Sequence, residues 1–178
     1  LFHYGALGAI AGHVLGILVP EDLTGALHVS EPVYRALAAG AGSLTGVGCL
    51  VGLVILAVRR VRFPRLRSTT TASDVAVFIL LFLVIGLGLA ETLLVETLGP
   101  GYDYRLTVSV WFRGLFIFDL QPALMQSAPL LYQAHALAAW VLFAFWPFSR
   151  LVHAWSAPIQ YLGRPYILYR RRYAASRR

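Results

Sequence analysis

Long apolar runs alternate with short polar ones along this chain, and four of the runs are long enough to predict helices. They are apolar on every face, so their surroundings must be apolar too. A helix that crosses a lipid bilayer needs about 20 mainly apolar residues for a core about 30 Å thick. Helix A is predicted over 1–19, ending at Pro20, and helix B over 36–58. Helix C is predicted over 76–98, with Asp74 as its N-cap, and helix D over 129–151, interrupted by Pro147. The connection 99–128 has an apolar, aromatic middle, Val110 to Leu120, too short to span. It is expected to lie along the outer surface or fold back over the bundle. With these elements placed, too little chain remains for a soluble domain. The expectation is one membrane domain, an all-α integral membrane bundle of four spanning helices with a C-terminal tail over 152–178.

Composition agrees. The 178 residues are 58% hydrophobic and 13% charged, against about 45–50% and 25% for a soluble domain, and mean hydropathy is +0.70. A soluble enzyme, a disordered chain and a nucleic-acid binder are excluded on these grounds. The net charge of +7 comes from arginines, without a lysine, and they are clumped. The B–C loop holds Arg59, Arg60, Arg62, Arg65 and Arg67; Arg150 and the tail hold most of the rest. The A–B and C–D connections carry Glu21, Asp22, Glu31, Glu96, Asp103 and Asp119 instead. The positive-inside rule then puts the B–C loop and the C-terminus on the cytoplasmic side, with the basic clusters on lipid headgroups rather than nucleic acid. Tyr102, Tyr104 and Trp111 suit the outer interface, and Trp155, Tyr161, Tyr166 and Tyr169 the inner one. Helix A has no basic start or processing pattern and carries two histidines, so it does not read as a signal peptide. Its abrupt start at Leu1 implies a missing N-terminal segment.

Four of five histidines fall on helices A and D. Ionisable residues in spans face the bundle interior and find a partner there. Because A and D run antiparallel, His3 meets His153 near the inner side and His13 meets His135 near the outer side. Two stacked bis-histidine sites are the arrangement that holds two b-type haems. The spacing is imperfect: ten residues on A rise about 15 Å and eighteen on D about 27 Å, and a kink at Pro147 accounts for part of the mismatch. Small residues flank the histidines of A (Gly5, Gly8, Ala9, Gly12, Gly16) and line B (Gly40, Gly42, Gly46, Gly48, Gly52), where close helix packing and access for a macrocycle both use them. Zinc is disfavoured, since Cys49 stands alone and no carboxylate has ligand spacing. C-x-x-C-H is absent, so the haem is held non-covalently. Met125 is expected to be packing and His28 a solvated loop residue.

Four segments carry a family resemblance: LFHYGALGAIAGH at 1–13, RFPRLRSTTTASD at 62–74, YDYRLTVSVWFRGLF at 102–116 and FWPFSRLVHAWSAPIQYLGRPY at 145–166. The chain resembles the gamma subunit of respiratory nitrate reductase, a membrane dihaem cytochrome b, over essentially its whole length. The resemblance implies five helices, the first missing here. It implies a distal haem b on His13 and His135 and a proximal haem b on His3 and His153. It further implies oxidation of menaquinol or ubiquinol near the outer face, and transfer of electrons to an iron–sulfur beta subunit and a molybdenum-containing alpha subunit that reduces nitrate to nitrite. Gly12, His13 and Arg35 are the candidates for the quinol pocket, with Val33 or Tyr34 as alternatives to Arg35, which also suits an interfacial anchor. Arg59, Arg60 and Arg113 are candidates for haem propionates, in competition with lipid headgroups. Tyr161 to Tyr166 and the basic tail are expected to dock the beta subunit. The alternatives are a dihaem cytochrome b of another quinone-linked reductase, acting on sulfur compounds or heterodisulfides, and a small histidine-relay transporter; the latter is expected to show an inverted repeat, and none is present.

Overall fold

The computed structural model describes residues 1–156 and 163–165. Among the described residues there are helices and no strand. Three helices are long and apolar enough to cross a membrane: α3, Glu31–Arg62; α5, Ala72–Thr97; and α8, Leu130–Phe148. Helix A is α1, Phe2–Leu18, with 12 α-helical residues followed by 5 π-helical ones. At about 25 Å it falls just short of a bilayer core of about 30 Å. Short helices connect them: α2, Glu21–Ala26; α4, Pro64–Arg67; α6, Val108–Phe116; and α7, Pro122–Gln126.

Local chemistry sets the ends. Helix B extends beyond its expected bounds because Pro32 sits in the first turn of α3, where its missing N–H costs nothing, and Arg59, Arg60 and Arg62 favour its C-terminus. Asp74 is not the N-cap of helix C. Thr71 is: its hydroxyl accepts from Asp74 N at 3.2 Å, and the Asp74 carboxylate accepts from Thr71 N at 3.0 Å, a reciprocal capping box. Helix D tightens to 3₁₀ at Trp146–Phe148 and stops at Ser149, whose backbone is extended at φ −128° and ψ 170°. Pro147 cannot donate into the ladder. A separate 3₁₀ turn, Arg150–Ala154, then carries His153. The regular rise that made the two histidine spacings disagree therefore does not apply between His135 and His153.

The helices pack in series, α1 on α3, α3 on α5 and α5 on α8. A Cβ on Gly52 would lie 2.5 Å from Phe2 N, and one on Gly5 would lie 2.8 Å from Cys49 Cα. Gly5 and Gly52 let two backbones touch, and Gly8 faces the Thr45 side chain, so at Gly5 and Gly8 helix contact outweighs the macrocycle access expected of helix A. Leu44, Ile79, Leu83 and Leu137 point outward, while Asp74, Glu91, Arg105, Ser109 and Ser149 are buried. An apolar exterior around polar interior contacts is the reverse of a water-soluble domain, and lipid is the solvent that suits it.

Each end of the bundle is tied. At one end Asp74 pairs with Arg60 at 3.5 Å and with Arg150 at 3.2 Å. Ser73 Oγ donates to the Phe148 carbonyl at 2.9 Å beside them. At the other end α6 folds back on the last turn of α1, as one of the two arrangements expected for the 110–120 stretch. Ser109 Oγ donates to Gly16 O at 3.0 Å and Arg113 Nη1 to Ile17 O at 2.8 Å, which satisfies carbonyls that a helix C-terminus leaves unpaired. Buried Arg105 reaches Glu31 at 3.1 Å and Thr24 at 2.6 Å, and its guanidinium lies 3.9 Å from the centre of the Tyr34 ring.

Candidate cofactor site

Two histidine pairs form, one between α1 and α8 and the other between α1 and the 3₁₀ turn that follows α8. The rings of His13 and His135 have centroids 5.9 Å apart with an interplanar angle of 24°; those of His3 and His153 are 6.3 Å apart at 73°. α1 and α8 are not among the closely packed helix pairs. Three of the four rings are aimed by a backbone carbonyl. His13 Nδ1 lies 2.7 Å from Ala9 O, one turn back on α1. His135 Nδ1 lies 3.1 Å from Val84 O on α5, and a Cβ on Gly88 would sit 2.9 Å from its Cε1. His153 Nδ1 lies 2.7 Å from Arg150 O. A carbonyl can only accept, so in these three residues Nδ1 carries the proton and Nε2 keeps its lone pair.

That donor set fits a haem. A metal–imidazole bond is about 2.0–2.1 Å, so two imidazoles on opposite sides of one ion have ring centres about 6–6.5 Å apart. A ligating histidine ordinarily donates its other N–H to a carbonyl or carboxylate, which fixes tautomer and orientation. Among the described residues no three histidine, cysteine or carboxylate side chains converge on one point. Two imidazoles alone leave a metal's coordination incomplete, whereas a porphyrin brings the other four nitrogens with it.

The remaining expected residues fall into separate places. Arg60 is engaged by Asp74 and lies 5.6 Å from the centre of the Phe78 ring, and Arg113 holds the end of α1, so both have protein partners that compete with a propionate. Arg59 is exposed. Gly12 has nothing within 4 Å of a Cβ position. Arg35 pairs with Glu96 at 3.3 Å and lines an open groove of about 400 Å³ with Ala36, Gly40, Ser43, Glu96 and Thr97; Gly12 and His13 do not line it. Tyr34 bonds Tyr104 across 3.2 Å, and burial, then that hydrogen bond, push the Tyr104 phenol upward. Met125 is half-buried on α7, His28 is exposed, and Cys49 is buried at the α1–α3 crossing. Tyr161, Tyr166 and the tail from 166 onward lie outside the described residues.

The sequence reading passed over a polar cluster beside the outer pair. Glu96 accepts from Arg35, from Tyr102 N at 3.1 Å and from Tyr132 Oη at 2.7 Å. Tyr132 precedes His135 by one helical turn. Glu91 is buried, and its Oε1 has no hydrogen-bond partner. Both acids interrupt an otherwise apolar span, a signal that was available, because such residues in spans mark functional sites.

An all-helical arrangement with membrane-length helices and two facing imidazole pairs defines a helical membrane protein. The family model described as nitrate reductase gamma subunit matches residues 1–172, and the chain belongs to that family. It is 43% identical to the nitrate reductase gamma chain of Bacillus subtilis over 172 residues, which cover 97% of this chain and 77% of the relative. It is 35% identical to the respiratory nitrate reductase 1 gamma chain of Escherichia coli over 174 residues, 97% of this chain and 76% of the relative. A nitrate reductase-like protein, NarX, of Mycobacterium tuberculosis H37Rv is 44% identical over 173 residues, 97% of this chain but 26% of that longer protein.

Proposed function

We propose that this chain is the quinol-oxidising, dihaem cytochrome b subunit of a respiratory nitrate reductase. The observation that carries the proposal is the pair of imidazole couples at 5.9 and 6.3 Å, one above the other along the bundle. Haem b bound there supplies one-electron carriers. His13 and His135 would hold the distal group, and His3 and His153 the proximal one. The carbonyls of Ala9, Val84 and Arg150 keep three of these rings in the tautomer that presents Nε2. Apolar helices exclude water, which lowers the local dielectric and helps set the potentials. The end of the bundle with Arg59–Arg67 and Arg150 faces the cytoplasm. Electrons leave there for an iron–sulfur beta subunit and a molybdenum-containing alpha subunit that reduces nitrate. The other end, with the Arg35–Glu96 groove, receives menaquinol or ubiquinol.

Replacing His13 or His135 by Ala in the whole complex is expected to leave about half the haem, read from the reduced b-type absorbance. Quinol-driven nitrate reduction is expected to be lost and dye-driven reduction kept. Retention of both haems in the His135 variant, or a colourless wild-type complex that still oxidises quinol, overturns the proposal.

A further inference from the structure

Among the described residues Glu96 is the one carboxylate lining the outer groove, and three donors from three elements meet on it: Arg35 on α3, Tyr132 on α8 and the Tyr102 backbone in the loop after α5. Its side chain is 12% exposed, whereas that of Arg35 is 40% exposed. The groove therefore offers a guanidinium donor and a carboxylate acceptor side by side at the rim of the bundle. That combination matches a headgroup that carries a hydroxyl before oxidation and a carbonyl afterwards.

Backbone geometry sets Glu96 there. The last stretch of α5, Glu91–Thr97, is π-helical, and π turns inside α-helices recur at functional sites. In α geometry, residues 91 and 96 would stand about 140° apart around the helix. Closing the bonds five residues on brings them to neighbouring directions, with Tyr132 in electrostatic reach of both. Glu91 is buried and does not line the groove; Glu96 does. The groups facing Glu96 are thus Arg35, Tyr132, Tyr102, Tyr104 and, along its own helix, Glu91.

We infer that Glu96 is the base that takes the hydroxyl proton of the bound quinol, an inference that rests on the quinol-oxidising role proposed above. The proton of the nearer hydroxyl moves to a Glu96 carboxylate oxygen, and the electron that leaves with it would pass to a haem held by His13 and His135. The acid then releases that proton to water at the exposed rim. The second hydroxyl loses its proton to water at the open rim as the second electron would leave by the same route, so two electrons and two protons have left the quinol and it is a quinone. Arg35 donates to the second headgroup oxygen and holds the carboxylate in place. Tyr132 links the base to the turn that carries His135.

Glu96→Gln keeps the shape and the acceptor oxygen and removes the base. In the intact complex, quinol-driven nitrate reduction is expected to fall about 100-fold, the scale of a lost general base. The KM for quinol should change less than threefold, with both haems retained and dye-driven reduction intact. Glu96→Asp should recover part of the rate. Full quinol-driven turnover in Glu96→Gln overturns the inference. Should that variant fail to assemble, the wild-type complex decides: a hydrophobic carbodiimide should label Glu96, a quinone analogue should suppress the labelling, and labelled complex should lose quinol oxidation. Labelling indifferent to the analogue, or labelled complex that still turns over, overturns it. A wild-type complex unable to oxidise any quinol would instead defeat the functional proposal itself.

Discussion

His135 shows how much of the outer centre depends on single side chains. Its Nδ1 meets the Val84 carbonyl of the neighbouring helix, and its ring edge lies where a side chain on residue 88 would go, with Cε1 2.9 Å from a Cβ on Gly88. If the proposed haems are bound, Gly88→Val is expected to push the ring off its axis and to reduce distal haem occupancy more than tenfold while the proximal haem stays. Separate titration of the two reduced-haem signals checks this; equal loss of both would point to general misfolding. His3 and His153 are readable as a pair from the antiparallel order of helices A and D, because few other histidines compete. The tautomers were not readable, since the carbonyls that set them come from backbone geometry. Arg113 illustrates the converse: a cation near an expected propionate in the sequence donates to Ile17 O once α6 folds onto α1.

Elements meet at Asp74, which closes the capping box of α5 and ties the ends of α3 and α8 to it. Thr71→Ala removes the cap alone and should cost about 1 kcal/mol, seen as a modest fall in the midpoint of thermal haem loss at full haem content. Asp74→Ala also removes both ion pairs, leaving Arg150 without its tie to α5. His153 follows Arg150 by three residues and its Nδ1 meets Arg150 O. On the dihaem function proposed above, the proximal haem is therefore expected to dissociate first on heating in that variant, and loss of the distal haem first would contradict it. The threonine run before helix C contained the capping box, with Thr71 three residues ahead of Asp74; placing the cap on the acid overlooked that reciprocal spacing. The break in helix D was legible at Pro147, but the extended backbone at Ser149 was not, because proline marks a boundary without choosing the conformation beyond it.

At the scale of the molecule, all five arginines from Arg59 to Arg67 share one end with Arg150. The proposed orientation predicts that a protease specific for arginine cuts the α3–α5 connection in inverted membrane vesicles and spares it in right-side-out ones. Cleavage from the outside only would reverse the topology and the direction assigned to electron flow. Apolar length, arginine asymmetry and the placing of two histidines on the first helix and two on or just after the last were determined by the sequence alone. These are properties of one element at a time, and solvation by lipid reads them off composition directly. The tertiary structure decided which polar groups meet: Arg35 with Glu96, Tyr132 with Glu96, Asp74 with Arg60 and Arg150, and His135 with Val84 O. Those contacts join residues as far apart in sequence as Asp74 and Arg150, and they depend on the rotation of each helix about its axis. Lipid-facing and buried positions are equally apolar in these spans, so hydrophobicity alone leaves that rotation open; close approach at Gly5, Gly52 and Gly88, and the π turn in α5, set it.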